Sequence, residues 1–366
     1  MAERPVLGFQ AGVSTRRIRV EWLFVAAALS VVASLSSPSR AEPSAVAPSG
    51  GFVYTADEKG NSVSVIDLGA RKVDIVAVPV APHNVQISSD GRRLYVVGAR
   101  TKAGEGHDHG GERGRLLVFD TSSMASGPVA DIEVGAHPAH VVADRDGKYA
   151  FVTNSGDDTV SVVDLAQRRV VKNVKTGAYP HGLRMSADGR EIYVANVNGG
   201  SVSVIDVATL TAAATIAVGK EPIQVGFAAD GRRVYVSLRA EDSVAVVDTV
   251  ARRVLTKVRV GRGPVQVFAT PDSRYVFAAN QGDATPGNTV SVIDTATHRV
   301  VKTIVTGKGA HGVVVSDDGR WAFVTNIGAN SVSVIDTRAL AVVAAFAVGR
   351  GPNGITYRSG ISAPRN

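Results

Sequence analysis

The 366-residue chain contains no cysteine. Its stability therefore comes without disulfides, and thiolate metal sites, c-type haem attachment and cysteine nucleophiles are all excluded. Aromatic residues make up only 5% of the chain. Val, Ala, Ser, Thr and Gly dominate instead, which favours short β-branched strands joined by tight turns over helices. The common catalytic signatures are missing too: there is no G-x-S-x-G, H-E-x-x-H or P-loop. GKGAHG (307–312) and GRGPNG (349–354) fit G-x-G-x-x-G. Each joins two strands, however, where the dinucleotide motif must open a helix. A Ser/His/Asp triad stays open, because triads are defined by geometry and not by spacing.

What is present begins with a distinct N-terminus. Arg16, Arg17 and Arg19 precede an apolar run from Trp22 to Leu35, and Ser39-Arg40-Ala41 supplies small residues at the positions a signal peptidase reads. The run is shorter than the ~20 residues of a spanning helix, so residues 1–41 read as a cleavable secretory signal. An uncleaved anchor is the alternative. Loss of the signal removes five basic and two acidic residues and takes the formal charge from +7 to about +4. The expected mature protein is periplasmic or secreted, has no membrane span, and acts as a monomer.

The hexapeptide SVSVID stands at 62–67, 201–206 and 331–336, with near copies between. Alignment on it gives seven copies of one unit, each with a strand starting at an aromatic: Phe52, Tyr95, Phe151, Tyr193, Tyr235, Phe277 and Phe323. The spacings are 43, 56, 42, 42, 42 and 46 residues. A period near 42 with room for four strands predicts an all-β propeller of seven four-stranded antiparallel blades. The recurrent Asp after each hexapeptide (Asp67, Asp120, Asp164, Asp206, Asp248, Asp294, Asp336) suits a turn, its carboxylate accepting backbone N–H groups. Asp-Gly pairs at 90–91, 146–147, 188–189, 230–231 and 318–319 suit the other hairpin. After a linker at 42–50, the propeller spans 51–358, followed by a tail at 359–366. Pro352–Tyr357 repeats only the first strand of a blade, so pairing it with the N-terminal strands closes the ring and removes the open sheet edges.

FVTN at 151–154 and 323–326, followed by TVSVVD or SVSVID and then a Val-Gly…Pro joint, closely resembles the YVTN-repeat (YncE-like) seven-bladed propellers over essentially all of 51–358. The resemblance implies the fold. It says little of activity, since relatives range from lactonase-like propellers to the haem d1 domain of a nitrite reductase.

Strand order puts the inter-blade joints on one face, the top. His83, His137, His140, His181 and His311 fall there, while His298 lies at the bottom. His83, His181 and His311 occupy the same repeat position and point at the channel mouth; His140 is one residue out of register. Imidazoles converging from separate strands are what copper or zinc needs, and neighbours such as His83, His140 and His181 can reach one small ion most easily. The bland alternative is a semi-polar filler, since other blades carry Ile223, Val265 or Asn353 there. The glycine-rich insertion 101–114 adds His107, Asp108 and His109, either a metal-collecting lid or a solvated loop. Lys220, Arg262, Lys308 and Arg350 form a cationic arc on the joints, suited to an anionic ligand or an acidic partner, or to plain solvation. Nucleic acid would want aromatic platforms beside these cations, and only Tyr179 is near. Asn154, Asn196, Asn280 and Asn326 at the strand ends read as turn caps.

Two functions follow. One is a scaffold presenting its top face and channel mouth (His83, His181, His311 and the cationic arc) to a ligand or protein. The other is a copper- or zinc-dependent oxidoreductase or lactonase-like hydrolase.

Overall fold

A computed structural model describes residues 47–100, 113–283 and 285–360. The expected signal at 1–41 and the insertion histidines His107 and His109 lie outside them. Seven sheets of four antiparallel strands are present among these residues, and six of them run in chain order. The seventh combines Pro352–Arg358 with Phe52–Asp57, Ser62–Asp67 and Lys72–Ala77. Phe52 pairs with Arg358 and Tyr54 with Thr356, so the two ends of the propeller are joined by a full ladder. The ring closes as the repeat predicted. Each inner strand packs against the next one around a central channel, and no helix among the described residues is long and apolar enough to cross a membrane.

The alternation within each strand explains the core. One face of every sheet meets the face of its neighbour, giving seven clusters of buried side chains, each shared by two adjacent blades. Phe151, Tyr193, Tyr235, Phe277 and Phe323 are completely buried in them. Each such ring is worth about 1.5–3 kcal/mol of burial free energy. In the closing blade this place belongs to Tyr54, which faces Val65 as Phe151 faces Val162. Phe52, the aromatic expected there, sits two residues earlier at the sheet end, under the Arg358 guanidinium at 4.3 Å.

The turn chemistry holds at all seven aspartates. Asp67 Oδ1 accepts from Ala70 N, Asp164 Oδ1 from Gln167 N, and the rest accept two or three residues on. The asparagines at the other end do more than cap. Asn154 Nδ2 donates to Thr159 Oγ1 and Ser161 Oγ on the next strand at 3.0 and 2.8 Å, and its Oδ1 accepts from Gly135 N. Asn326 repeats this with Ser331, Ser333 and Gly307 N. They lock strand to strand and strand to joint. In the closing blade the lock is Asp57, which receives the hydroxyls of Thr55, Ser62 and Ser64.

Candidate metal centre

Six inner strands start at a Pro or Ala and the seventh, Val80–Ile87, carries its Pro at 82; counting from that residue, each has a register shift just after it, between Pro180 and Leu183 for example. In the neighbouring blade the shift brackets Ala139 and His140, between Pro138 and Val141. A bulge opposes two residues to one and re-aims side chains. The second and third residues of the strand therefore both reach the channel, and His140, though out of register, joins His83 and His181. The third residues of the seven strands are amides, glycines and His140: Asn84, Gly182, Gln224, Gln266, Gly312 and Gly354 complete that level. Glycine at 182 is required by contact, since a Cβ there would stand 2.5 Å from the Ile223 carbonyl oxygen.

Three consecutive blades thus deliver three imidazoles to one point. One ring nitrogen each from His83, His140 and His181 lies within 4.8 Å of the others, so these three could hold a metal ion. His83 Nε2 and His181 Nε2 are 3.2 Å apart. Two ligands on a tetrahedral zinc stand about 3.3 Å apart, from bonds of about 2.0–2.1 Å. Ring centroids are 4.9 Å apart for His140–His181 and 5.2 Å for His83–His181. His140 Nε2 is buried with no hydrogen-bond partner. Such an orphan in a cluster of imidazole nitrogens fits a metal ligand.

The outer contacts orient the rings as metal-ligating histidines are usually oriented. His181 Nδ1 faces Ile223 O at 3.2 Å, and His83 Nδ1 faces Glu58 Oε1 at 3.3 Å. His140 differs: its Nδ1 meets Gln224 Nε2 at 3.3 Å, an amide whose Oε1 accepts from Val225 N. Asn353 Nδ2 donates to Glu58 Oε2 at 2.8 Å and fixes the carboxylate.

Charge follows from this packing. Burial, then the neighbouring His83, pushes His181 down to about 3, and burial holds His140 well below the usual imidazole range. Both are neutral near pH 7, the form a metal requires. Burial alone would raise the Glu58 carboxyl. The charge and hydrogen bond of His83, the Asn353 amide and His311 outweigh it and hold Glu58 at about 2. A fixed anion therefore stands behind His83. Above the rings, a cavity of about 170 Å³ is lined by Glu58, His83, His137, Ser155, Tyr179 and His181 among others, leaving an open side to the site.

Against this geometry, the sequence profile of the YNCE-like beta-propeller family matches residues 115–274 and 212–361. The chain belongs to the YncE-like beta-propeller family. Solved structures similar to this YncE-like propeller include hydrazine synthase of Kuenenia stuttgartiensis, 20% identical with a TM-score of 0.65 over 77% of this chain and 96% of that one. A functionally unknown protein of Desulfotomaculum acetoxidans is 14% identical, TM-score 0.70, over 85% and 100%. A Bacteroides uniformis protein named as a candidate 6-phosphogluconolactonase is 14% identical, TM-score 0.69, over the same shares. At these identities the likeness is one of fold. No curated protein matches the sequence.

The remaining candidates of the YncE-like propeller are spread more widely. His311 is buried, with Nδ1 unpartnered, but lies outside the three-nitrogen group. Burial, followed by His83, lowers it to about 4. His137 lines the mouth cavity. Lys220, Arg262, Lys308 and Arg350 are exposed on the joints, and Arg262 pairs with Asp283 at 3.5 Å. Glu58 and Gln224 are contributors that the histidine pattern did not reveal. Glu58 was visible only as a departure from the repeat: Asp57-Glu58 stands where other blades carry Asn154-Ser155 or Asn326-Ile327.

Proposed function

We propose that this YncE-like propeller is an exported metal-binding protein that holds zinc or copper on His83, His140 and His181 at the mouth of its channel. The convergence of three ring nitrogens within 4.8 Å carries this reading. Three imidazole nitrogens with no thiolate suit zinc or copper by softness. A site with three protein ligands and an open side is the arrangement of catalytic rather than structural zinc. In such a site the ion would supply Lewis acidity or an activated water. The chain's own part is to hold the rings with Glu58, Ile223 and Gln224 and to admit a small molecule through the mouth cavity. A hydrolytic role, as the name of the Bacteroides protein suggests for that relative, would use this open side.

A second reading is a scaffold that binds an anionic ligand or an acidic partner at the top face. The exposed Lys220, Lys308 and Arg350 around the mouth favour it. Elemental analysis of untagged protein from the periplasm separates the two. The metal reading expects about one zinc or copper per chain in the wild type and none in the His83→Ala/His181→Ala double variant. Absence of metal from both, even after incubation with each ion, would leave the scaffold.

A further inference from the structure

Below the histidines the channel holds a second space of different chemistry. The fifth residues of the inner strands, Gln86, Val142, Arg184, Gly226, Phe268, Val314 and Thr356, all line a cavity of about 470 Å³. That size is ordinary for a small-molecule site. It shares no lining residue with the mouth cavity. The amides of the third level stand between the two, held in place by backbone N–H groups: Val225 N donates to Gln224 Oε1 at 2.8 Å and Val313 N to Gln266 Oε1 at 3.4 Å.

One side chain in this chamber is out of balance. Among the described residues the Arg184 guanidinium makes one hydrogen bond, from Nη1 to the carbonyl of its own neighbour Leu183, at 3.1 Å. A guanidinium has five N–H donors in a fork that matches a carboxylate. Among the described residues no carboxylate lies within ion-pairing distance of it. Its carbon stands 5.9 Å from the centre of the Phe268 ring. The other charged lining residues are engaged or peripheral. Arg358 donates to Gly91 O and Thr121 Oγ1, Asp90 accepts from Ser88 and Arg92 N, and Asp317 is exposed at the rim. Burial lowers Arg184 only to about 10, so it keeps its charge near pH 7. A half-buried cation with no counter-charge is costly, and an anion relieves that cost.

We propose that the chamber binds a small organic carboxylate with a flat apolar body. The carboxylate takes the Arg184 fork, and the body lies against Phe268 and Phe227, with Val142 and Val314 on the wall. Thr356 Oγ1 already accepts from Ile87 N and Gln86 Nε2 already donates to Ile87 O. The Thr356 hydroxyl hydrogen and Gln86 Oε1 are left to meet polar substituents. The apolar walls are what make the site selective for an organic anion over inorganic phosphate.

The test is calorimetric titration of the full mature protein with 2-naphthoate, its neutral isostere 2-naphthamide, and inorganic phosphate. The expected result is one naphthoate per chain, with naphthamide and phosphate each bound at least about tenfold more weakly. Arg184→Gln lowers naphthoate affinity about 10- to 100-fold and leaves naphthamide unchanged, while Arg184→Lys, which keeps the charge but loses the fork, falls between. His181→Ala keeps naphthoate binding. The naphthoate–naphthamide contrast in wild type stands even if Arg184→Gln fails to fold. Equal binding of the two probes, no naphthoate binding, or tighter binding of phosphate would each overturn the proposal.

Discussion

Replacing His181 with alanine is expected to weaken zinc binding by about 100-fold or more, while His311→Ala changes it by less than about threefold. The two histidines occupy the same repeat position and are both buried below the usual imidazole range, so sequence register alone would predict equal effects. Geometry separates them. His181 Nε2 lies 3.2 Å from His83 Nε2, whereas His311 lies outside the three-nitrogen group. Removing His181 leaves two imidazole nitrogens and the open cavity; removing His311 leaves all three ligands. Glu58→Gln tests the layer behind them. It keeps an acceptor for His83 Nδ1 but discards the charge, and an outer-layer loss of this kind costs about 10-fold in affinity. Competition against a chromophoric chelator at pH 7.5 gives the whole series. If His311→Ala is as damaging as His181→Ala, the ion is not where the three nitrogens converge.

Asp57→Asn is expected to raise stability at pH 7.5 by about 2–3 kcal/mol, a gain that disappears near pH 4. Burial pushes the Asp57 carboxyl up to about 6, against the hydrogen bonds of Ser64, Thr55 and Ser62. The folded state thus holds this proton more tightly than the unfolded chain, whose value is near 3.8. The resulting stabilisation is complete below about 3.8 and is lost as pH rises through about 6, so at pH 7.5 the folded protein carries a buried carboxylate at a cost. Asparagine at the equivalent position of four other blades fills the same lock without charge. His140, His181 and His311 act the other way: held neutral inside, they cost stability as pH falls below about 6.5. The difference between variant and wild type cancels their contribution. Urea unfolding of both proteins at pH 4 and 7.5 measures it, and a difference that is equal at the two pH values would contradict the assignment.

These residues also show which parts of the structure were readable from the chain. The blades were, because a period near 42 with one aromatic, one hexapeptide and one turn aspartate per copy is a local signal repeated seven times. Closure was, because the last copy stops after one strand. The aromatic of the closing blade was misplaced by two, from Tyr54 to Phe52, since both fit the alternation and only the ladder against Val65 chooses. His140 could not be aimed from its register, because the inner-strand bulge changes which residues reach the channel. Glu58 meets His83 by packing of consecutive blades and Asn353 through ring closure, from partners 25 and 295 residues away. Arg184 lies at a position where the other blades have Gln, Val, Gly, Phe, Val and Thr. In a repeat protein the repeat itself builds the scaffold, and the chemistry gathers where a copy departs from it: His140, Glu58 and Arg184 are each such a departure.

Zinc-edge X-ray absorption on protein loaded with one zinc per chain tests the central claim most directly. The account predicts imidazole scattering from three histidines at about 2.0–2.1 Å, with one oxygen ligand completing the shell. A shell made of oxygen alone, or one that retains three imidazoles in the His181→Ala variant, would contradict it.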